Sequence, residues 1–596
     1  MERVADYVIS RLIEKDIGYI FLITGRGILY LTDAVAKNKE IQGISTYHEQ
    51  GASYAAMAYA TAKDGMGACL VSTGCAATNA VTAALCAYQD NLPVIFISGQ
   101  NMLNETTRYT GVPIRTYGSQ ESDIINIVES ITKYAVMVVD PNEIRQEIDK
   151  AIYYANEGRK GPVWIDIPLD IQNARINADQ LIGWEPSEKS YEISNEDIDY
   201  IVNAYGAAAK PVLFLGGGVR SSGAIEEVTM FAERYSIPVV FSTSATDVYG
   251  TAHPLSLGAV GSIGGSRTGN FAVQNADLVL VLGSKLCSQT IGAAGQFARE
   301  AKIIVVDIDP KEHTKAGADI DRIITADIKE FMSNILEREL KPADRLWVEK
   351  CLHWKDIFAL RNETFIHDLI RQDKMDLYYF ADVLSDKLPD DSTVITDAGF
   401  EELIIPSSIR YRESQRCLFP AAQGAMGYAI PAILGAHYAG RKHITAVVGD
   451  GSFMMNMQEL LAISAHHIPA KIFVINNNMY AVIRKRQKDL FRTRTIGNDP
   501  SDGVAAPDFQ KIAESFGLVY LSITKPEQLA SGIEEVLASK EPYICEVNCV
   551  EDQKYFHMSY AINESHKLVK RPLEDLSPFI DRKLFYSEMV VAPIQE

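Results

Sequence analysis

Two apolar segments, each ending at a polar cluster, constrain the fold of this chain most strongly. Residues 444–448 lead into Gly449-Asp450-Gly451-Ser452, and residues 471–475 lead into Asn476-Asn477. Each apolar run is typical of a buried strand that ends at a polar residue. The intervening residues 454–467 have helical spacing, which predicts one helix. Its stripe comprises Met454, Met457, Leu460, Leu461 and Ser464. The order strand, turn, helix, strand predicts two parallel strands in an open α/β sheet, where ligands bind at the carboxyl ends.

The polar residues at these two strand ends suit a metal-bound diphosphate. Asp450 offers a carboxylate and Asn477, 27 positions later, an amide oxygen. Both are hard ligands suited to Mg²⁺, which binds one or two protein carboxylates together with phosphate oxygens. Gly451 and Ser452 are expected to open the helix, where free N–H groups can hold a phosphate. The alternative is a nucleotide-binding α/β domain in which the Gly-Asp-Gly turn occurs by accident.

Gly-Asp-Gly, about two dozen further residues and then Asn-Asn resembles the signature of thiamine diphosphate enzymes. Nearly the whole chain resembles the acetolactate synthase-like family. The resemblance implies thiamine diphosphate and Mg²⁺ as cofactors, with Asp450 and Asn477 as metal ligands. It also implies the backbone carbonyl of Met479 as a third metal ligand, and Gly449, Gly451, Ser452 and Asn477 as cofactor-binding residues.

Size and charge exclude several other classes of protein. A chain of 596 residues predicts about three to four domains. The net charge of −20 argues against nucleic acid or an anionic membrane surface as the main partner. We expect no membrane span, because no stretch of about 20 apolar residues lacks charges. The amphipathic N-terminus does not resemble a signal peptide, and eight scattered cysteines without a CxxC pair fit a reducing cytoplasm.

Strand and helix patterns divide the chain into three α/β blocks, and we predict three doubly wound parallel-sheet domains. The predicted bounds are 1–173, 196–338 and 373–552, followed by a C-terminal arm, 553–596. Residues 174–195 and 339–372 are predicted to be connectors. By the resemblance, the first domain binds the pyrimidine of the cofactor, the middle one is of the FAD or nucleotide type, and the third binds the diphosphate and Mg²⁺.

Glu49 is the candidate activating carboxylate. It follows the strand-like residues 41–46 and precedes an alanine-rich helix, so it is expected to be poorly solvated. On spacing alone, an acid stabilising a helix N-terminus is the more ordinary interpretation. The segment His48-Glu49-Gln50-Gly51-Ala52 resembles the corresponding motif of acetolactate synthase-like enzymes. The resemblance implies that Glu49 protonates the pyrimidine nitrogen of thiamine. The role of His48 stays open.

Three further residues take their expected roles from the resemblance. In Gln423-Gly424-Ala425-Met426-Gly427, Gly424 is expected to offer its carbonyl to the pyrimidine amine. Met426 is expected to support the bent cofactor, although a flexible core methionine is the ordinary alternative. Gln120, in Gly118-Ser119-Gln120-Glu121, resembles a glutamine that faces the reacting groups, with an exposed loop residue as the alternative. His466 and His467 are predicted to be structural or surface residues.

Glycine turns in the middle block resemble the flavin-binding domain of acetolactate synthases. Such turns let a backbone approach a diphosphate closely. They imply a nucleotide-type ligand, FAD being the first choice, although sister families hold other ligands there or none. The candidate residues are Gly216, Gly217, Gly218, Gly283, Asp307 and Asp309.

Two positions depart from acetolactate synthases. An arginine that helps to hold the second keto acid is Gln289 here, and a neutral amide cannot replace a guanidinium toward a carboxylate. A tryptophan of the acceptor pocket is Arg486, which follows Arg484 and Lys485. These cations would suit a phosphorylated acceptor, although a solvated basic loop is an equally open alternative. The C-terminal tail also resembles thiamine enzymes of surface-polysaccharide synthesis.

The sequence therefore predicts a carboligase. It would decarboxylate a 2-keto acid, first of all pyruvate, and transfer the two-carbon unit to a second carbonyl, such as that of a nucleotide-linked keto sugar. Acetolactate synthesis with pyruvate as acceptor, simple 2-keto acid decarboxylation and a non-catalytic cofactor-binding protein are the alternatives. The resemblance implies that Glu49 and Asp450 come from different subunits, so a homodimer or homotetramer is expected.

Overall fold

The structure is a computed structural model, and it describes residues 1–186, 191, 193–562 and 566–594. Three six-stranded sheets account for most of the strands, and every strand pair within these sheets is parallel. This arrangement confirms the predicted α/β fold of three sheet domains. Parts of the predicted connector 174–195 and of the C-terminal arm lie outside the described residues.

The first domain begins with a short strand, β1 (Glu2–Arg3), which pairs antiparallel with β8 (Arg175–Ile176). Its sheet consists of β2 (Tyr19–Leu22), β3 (Gln42–Ser45), β4 (Gly67–Val71), β5 (Val94–Gln100), β6 (Tyr134–Met137) and β7 (Val163–Pro168). Its helices are Val4–Ile13, Leu29–Lys37, Glu49–Lys63, Cys75–Asn79, Val81–Gln89, Thr107–Thr110, Ile124–Val128, Ile144–Asn156 and Leu169–Asn173. Strands β4, β5 and β7 are buried along their whole length, as expected when helices cover both faces of a parallel sheet.

The middle domain contains β9 (Pro211–Leu215), β10 (Val239–Phe241), β11 (Ser256–Ala259), β12 (Leu278–Leu282), β13 (Lys302–Asp307) and β14 (Arg322–Thr325). Its helices are Asn195–Ala207, Gly218–Ser221, Ile225–Arg234, Arg267–Asn275, Ser288–Ile291 and Ile328–Leu336. Two more helices, Arg345–Ile357 and Thr364–Arg371, fill the predicted second connector. Trp347 and Trp354 of that connector are buried against the middle domain.

The third domain contains β15 (Ser392–Ile395), β16 (Arg416–Leu418), β17 (Lys442–Gly449), β18 (Lys471–Asn476), β19 (Val519–Ile523) and β20 (Tyr543–Asn548). Its helices are Leu377–Lys387, Phe400–Ser408, Ala429–Tyr438, Asp450–Phe453, Leu460–Ala465, Ala481–Phe491, Phe509–Phe516 and Leu529–Ala538. Strands β17 and β18 match the two apolar runs that the sequence indicated.

The predicted single helix over residues 454–467 is wrong. The chain forms a one-turn helix, Asp450–Phe453, a 3₁₀ turn and then the short helix Leu460–Ala465. The break falls at Asn456, whose amide donates to Gly427 O and to Gln50 Oε1, so tertiary contacts outweigh the local helical pattern. Met454 and Leu461 of the predicted stripe are exposed.

Strand order separates the middle domain from the other two. The first sheet runs β3-β2-β4-β5-β7-β6, and the third runs β16-β15-β17-β18-β20-β19. The two orders are the same when the strands of each sheet are numbered along the chain. The middle sheet runs β11-β10-β9-β12-β13-β14. That is the 3-2-1-4-5-6 order of dinucleotide-binding folds, with the crevice between β9 and β12.

The first and third domains pack through the helices Glu49–Lys63 and Ala429–Tyr438. A Cβ on Gly435 would lie 2.1 Å from Ala55 O, so glycine is needed for this close approach. Helix Glu49–Lys63 is buried along most of its length, mainly by alanines. The site residues at its first turn are thereby fixed relative to the third domain.

Arg416 joins all three domains at one buried point. Its Nε donates to Asp247 of the middle domain at 2.9 Å, and its Nη1 donates to Asp64 of the first domain at 2.9 Å. Its Nη2 also donates to Thr61 O at 2.7 Å. Because burial of an unpaired charge is costly, this shared arginine favours a single mutual arrangement of the domains.

The C-terminal arm adds the strands β21 (Tyr560–Ile562) and β22 (Leu568–Lys570) and the helix Arg582–Glu588. Leu573 and Phe585 pack into the core of the middle domain, so the arm crosses onto another domain. Among the described residues, no helix combines the length and the apolar composition that a membrane crossing requires.

Candidate functional site

Asp450 and Asn477 follow the paired strands β17 and β18, in which Gly449 lies opposite Ile475. The Asp450 carboxylate is buried and accepts backbone N–H groups from Gly451 (2.6 Å), Asn478 (2.6 Å) and Asn477 (3.1 Å). Burial raises the pKa of Asp450 to about 6, and these three amides oppose the shift. The carboxylate is therefore fixed in one orientation at the sheet edge.

The Asn477 side chain leaves one polar atom unpaired. Its Oδ1 is buried and has no hydrogen-bond partner in the described part of the chain. Asp450, which accepts from Asn477 N, lines a cavity of about 160 Å³ together with Gly451, Met479 and Tyr480, among other residues. Because an unpaired buried oxygen is destabilising, the amide is suited to a ligand that the protein itself does not supply. A carboxylate, an amide oxygen and the backbone at Met479 together form a hard oxygen donor set, which fits Mg²⁺.

The glycine turn beside Asp450 is sterically required. A Cβ on Gly451 would lie 2.0 Å from a ring carbon of Tyr480. Gly449 precedes the one-turn helix Asp450–Phe453, so the expected phosphate-binding helix start is a single turn. The Ser452 hydroxyl donates to Asp397 at 2.5 Å and accepts from Gly427 N at 2.8 Å. That hydroxyl is thus engaged within the protein, and its contact with a cofactor stays a prediction.

The loop that carries Gly424 and Met426 is held by the first domain and packs against Glu402. Asp90 of the first domain accepts from Ala422 N at 2.9 Å. Gly424 has a positive φ of 54°, and a Cβ there would lie 2.2 Å from Glu402 Oε2. Met426 is half-buried between this glycine and Gly427. The expected carbonyl and wedge positions therefore lie on a well-supported turn.

Sequence reasoning missed a group of acids at the end of β15. Asp397 and Glu401 are buried and Glu402 is half-buried. Burial and the neighbouring acids raise the pKa of Glu401 and of Glu402 to about 8, and burial raises that of Asp397 to about 6. The Asp450 charge is one cause of the Glu401 shift. Their position was predictable, since these acids follow an apolar strand as Asp450 does, but their burial was not.

Glu49 begins its helix, as the sequence indicated. His48 is the N-cap, and its Nδ1 accepts from Gln50 N at 3.1 Å, which gives this histidine a structural role. The half-buried Glu49 carboxylate accepts from Asn79 Nδ2 at 2.9 Å. In the described chain its side-chain hydrogen bond thus stays within the first domain and does not reach the Asp450 cavity.

A second glutamate near Glu49 was also missed. Glu459 of the third domain is buried and accepts from Tyr47 N and His48 N, each at 3.1 Å. Burial raises the pKa of Glu459 to about 7. This carboxyl ties the turn before Glu49 to the third domain.

Gln120 lies on an exposed loop with a positive φ of 66°. A Cβ on Gly74 would lie 2.2 Å from the Gln120 carbonyl oxygen, so the loop packs closely against this glycine. Asn101 Nδ2 donates to Ser119 O at 2.9 Å, which holds the loop to the end of β5. The position of Gln120 is therefore well defined although its side chain is exposed.

His466 and His467 are exposed at the end of helix Leu460–Ala465, and His466 Nδ1 contacts the Tyr438 hydroxyl at 2.9 Å. This confirms the predicted surface position.

The middle domain has a cavity of about 610 Å³ at the crevice between β9 and β12. Among its lining residues are the predicted Gly217, Gly218, Gly283 and Asp307, together with Gln289. The other two predicted residues, Gly216 and Asp309, are not among the residues that line the cavity. Gly216 allows the backbone at Gly283 to approach, since a Cβ would lie 2.1 Å from Gly283 O, and Asp309 caps the turn after β13.

The cavity extends toward the first and third domains, where Asp90, Phe419 and Ala422 also line it. Lys160 and Lys285 reach into it. Burial lowers the pKa of Lys160, and neither amine forms an ion pair with the residues that the structure describes. The arrangement combines glycine turns and amines, which suits a ligand with a diphosphate.

The two predicted acceptor arginines differ. Arg484 donates to Asp499 at 3.1 Å, so its guanidinium is already partly used. Arg486 is exposed and makes no ion pair with any residue in the described ranges. Its charge acts on Tyr555 and His557 of the C-terminal arm.

Three family models match the chain, one for each domain. The thiamine pyrophosphate enzyme N-terminal TPP binding domain matches residues 2–127, the central domain 198–335 and the C-terminal TPP binding domain 397–547. Acetolactate synthase from Arthrospira platensis is 31% identical over 92% of this chain and 95% of its own length. The acetolactate synthase large subunit of Lactococcus lactis is 28% identical over 96% and 97%. A probable acetolactate synthase large subunit from Methanocaldococcus jannaschii is 30% identical over 91% of each chain.

Proposed function

This chain belongs to the thiamine pyrophosphate enzyme family, and from that premise we propose that it is a carboligase. It is a thiamine diphosphate-dependent enzyme of the acetolactate synthase-like kind. In the proposed reaction it decarboxylates a 2-keto acid, first of all pyruvate, and transfers the two-carbon acyl unit to a second carbonyl compound. The observation that carries the proposal is the pair formed by the Asp450 carboxylate and the unpaired Asn477 Oδ1 at neighbouring strand ends.

We assign the cofactor contacts to the strand ends of the third domain. Asp450, Asn477 and the backbone carbonyl of Met479 would hold Mg²⁺, and the turn at Gly449, Gly451 and Ser452 would receive the diphosphate. Gly424 would accept from the pyrimidine amine and Met426 would support the bent cofactor. Bound thiamine diphosphate supplies the electron sink that such a decarboxylation and acyl transfer need.

Glu49 would hold a proton at the pyrimidine nitrogen, and Gln120 would face the reacting groups. We propose that these two residues serve the Asp450 site of a second copy, so that a homodimer is the smallest active unit and a homotetramer is a further option. Two observations support this proposal. The Glu49 carboxylate accepts a hydrogen bond from Asn79 within its own domain. Apolar side chains beside the Gln120 loop are exposed. These exposed side chains are Met102, Tyr109, Ile114 and Tyr117.

The acceptor we favour is a nucleotide-linked keto sugar. Gln289 cannot form the bidentate ion pair that a keto-acid carboxylate prefers. Arg486 carries a guanidinium without an ion pair in the described chain, and Arg484 lies two positions before it. A sugar diphosphate would use such a cation to bind its phosphate oxygens.

Acetolactate synthesis is the second candidate function, because the similar relatives carry that name. A Gln289→Arg variant distinguishes the two acceptors. If the acceptor is not a keto acid, Gln289→Arg should increase acetolactate formation from pyruvate. Efficient acetolactate formation by the unmodified protein would contradict the argument from Gln289.

FAD is our proposed ligand for the middle-domain cavity, in a structural role, since the carboligation has no net redox change. The strand order and the turns at Gly217, Gly218 and Gly283 support a dinucleotide there. The visible absorption spectrum of the purified protein tests this directly. A colourless protein that stays colourless after incubation with FAD would remove flavin from the proposal.

We also propose a reducing compartment, the cytoplasm. All eight cysteines are free, and five of them are buried, namely Cys69, Cys86, Cys351, Cys417 and Cys545. Free thiols are typical of proteins from reducing compartments.

The decisive experiment measures CO₂ release from pyruvate and from other 2-keto acids with Mg²⁺ and thiamine diphosphate. Products are then identified by mass spectrometry with pyruvate alone and with nucleotide-linked keto sugars. We expect CO₂ release and a two-carbon extension of a sugar. Absence of CO₂ from all 2-keto acids tested would contradict the proposed reaction.

A further inference from the structure

The C-terminal arm brings His557 to the seam between the middle and third domains. His557 forms an antiparallel bridge with Ile263, and the next residue, Met558, donates its N–H to Ser262 O at 2.7 Å. Ser262 in turn donates to Gln289 O through both its N–H (2.6 Å) and its hydroxyl (2.8 Å). The arm therefore places His557 directly beside the segment that carries the predicted acceptor residue Gln289.

The His557 ring is fixed in orientation. It stacks on the Tyr555 ring, with centroids 4.4 Å apart and planes inclined by 21°. Its Nδ1 lies 2.9 Å from Tyr555 O. A carbonyl oxygen can only accept, so Nδ1 carries a proton and Nε2 is the unprotonated acceptor of the neutral ring. Tyr555 also contacts Phe400 at the end of β15, with centroids 5.3 Å apart, so the pair lies at the carboxyl edge of the third sheet.

The charges around this ring come from helix Ala481–Phe491. Burial, Lys485 and Arg486 lower the pKa of His557, and the charge of Asp489 opposes them. Lys485 is paired with Asp489 at 3.4 Å, whereas Arg486 has no ion pair in the described chain. The described chain thus places a neutral acceptor nitrogen within the electrostatic influence of a guanidinium that has no ion pair there.

We propose that Arg486 and His557 form the acceptor subsite, in which Arg486 binds a phosphate oxygen and His557 Nε2 accepts from a sugar hydroxyl. The ligand class is a nucleotide-linked sugar, because the two side chains are complementary to an anionic group and a hydroxyl donor in one molecule. Pyruvate has the anion but no hydroxyl. The inference rests on the proposed function and adds His557 as a specificity-determining residue that the sequence pattern did not indicate.

The test measures binding, not turnover. Isothermal titration calorimetry with ADP-, CDP-, GDP-, UDP- and dTDP-glucose, which lack a keto group, reports affinity on the protein loaded with thiamine diphosphate and Mg²⁺. His557→Phe keeps an aromatic ring against Tyr555 but removes Nε2, and we expect about tenfold weaker binding of the preferred sugar nucleotide. His557→Gln retains an acceptor oxygen and should recover part of that loss.

Arg486→Gln should weaken binding by about tenfold or more and reduce its dependence on salt, because a charge-assisted contact is lost. The matched control is His253→Phe. His253 also packs on a tyrosine, Tyr249, with centroids 4.5 Å apart, but its Nε2 contacts Glu233 at 3.1 Å and it does not line the cavity beside Gln289. This control should bind the sugar nucleotide as the parent does, and thermal unfolding checks that each variant is folded.

Two results would overturn the inference: parental affinity in His557→Phe, or no binding of any of the five sugar nucleotides by the parent protein. Failure of the proposed function has a different signature. A parent that releases no CO₂ from 2-keto acids but binds a sugar nucleotide in a His557-dependent manner would contradict the reaction and leave the subsite in place.

Discussion

The first and third domains share one strand order but use the same sheet positions differently. In the first domain, Ser72 follows the third strand of the sheet in chain order, and its hydroxyl accepts from Gly27 N at 3.1 Å. In the third domain, Asp450 follows the corresponding strand and lines an open cavity. One position completes the fold of its own domain, and the other faces space that a ligand can fill.

The neighbouring strands repeat the contrast with identical residue types. Asn101 follows β5, and its amide donates to Ser119 O. Asn477 follows β18, and its Oδ1 is buried without a partner in the described chain. A shared fold therefore provides equivalent strand ends, and the proposed site lies at the one where packing leaves a polar atom unpaired.

The variant with the largest expected effect tests whether the first domain contributes a catalytic residue. Glu49→Gln should lower kcat by about 10² to 10⁴, because a proton-transfer group is lost, while thiamine diphosphate still binds. Steady-state CO₂ release and calorimetric cofactor binding measure the two quantities separately. Glu129→Gln, an exposed change in the same domain, should leave both near parental values. Near-parental kcat in Glu49→Gln would remove its assigned role.

A second experiment compares the two equivalent strand ends. Asp450→Asn should weaken Mg²⁺-dependent cofactor binding by about 100-fold, since changes behind a metal ligand already cost about 10- to 100-fold. The amide oxygen can still accept from the backbone of Asn477 and Asn478, so folding should persist. Ser72→Ala at the corresponding strand should leave the Mg²⁺ dependence unchanged. Equal losses in both variants would mean that the two strand ends do not differ in function.

The two asparagines should show opposite signatures. Asn477→Ala removes an unpaired oxygen, so the free energy of unfolding of the cofactor-free protein should change little, while cofactor affinity falls by about tenfold. Asn101→Ala loses a satisfied hydrogen bond and should lower the free energy of unfolding by about 1 kcal/mol, with cofactor affinity near parental. Urea unfolding and calorimetry provide both values. The contrast fails if the two variants behave alike.

Strand positions and the meeting of Asp450 with Asn477 could be predicted, because buried parallel strands are apolar runs and neighbouring strands bring their ends together. The break at Asn456 could not, since it depends on contacts with Gly427 and Gln50 that are remote in sequence. The burial of Glu401 and Glu402 was equally hidden, because adjacent acids ordinarily indicate a solvated helix face. Local patterns specify elements, whereas the pairing of polar atoms depends on tertiary packing.

Buried acids provide the smallest but most direct comparison. Asp166 of the first domain accepts from Ser98 Oγ at 2.6 Å and from Gln100 at 3.3 Å. Glu402 of the third domain has no hydrogen bond to any residue in the described ranges. Burial raises the pKa of Asp166 to about 7, and burial with Asp397 and Asp90 raises that of Glu402 to about 8. The first carboxylate is supported by its surroundings and the second is not.

The stability of the cofactor-free protein should therefore respond to pH through Glu402. Burial raises the pKa of Glu402 from about 4.5 in the unfolded chain to about 8 in the folded protein, so the folded state binds more protons between these values. Stability contributed by the protonated group is present below pH 4 and is lost as the pH rises toward 8. Glu402→Gln should remove up to about 1.4 kcal/mol per pH unit from that slope and stabilise the protein at pH 8. Asp166→Asn, measured at pH 5, where both acids are protonated in the folded protein, should destabilise it by about 1 to 3 kcal/mol, because an amide N–H group replaces the oxygen that accepts from Gln100 Nε2. Urea unfolding from pH 5 to pH 8 gives the change in the free energy of unfolding for both variants. A change of the same sign in both would contradict the proposed difference between the two acids.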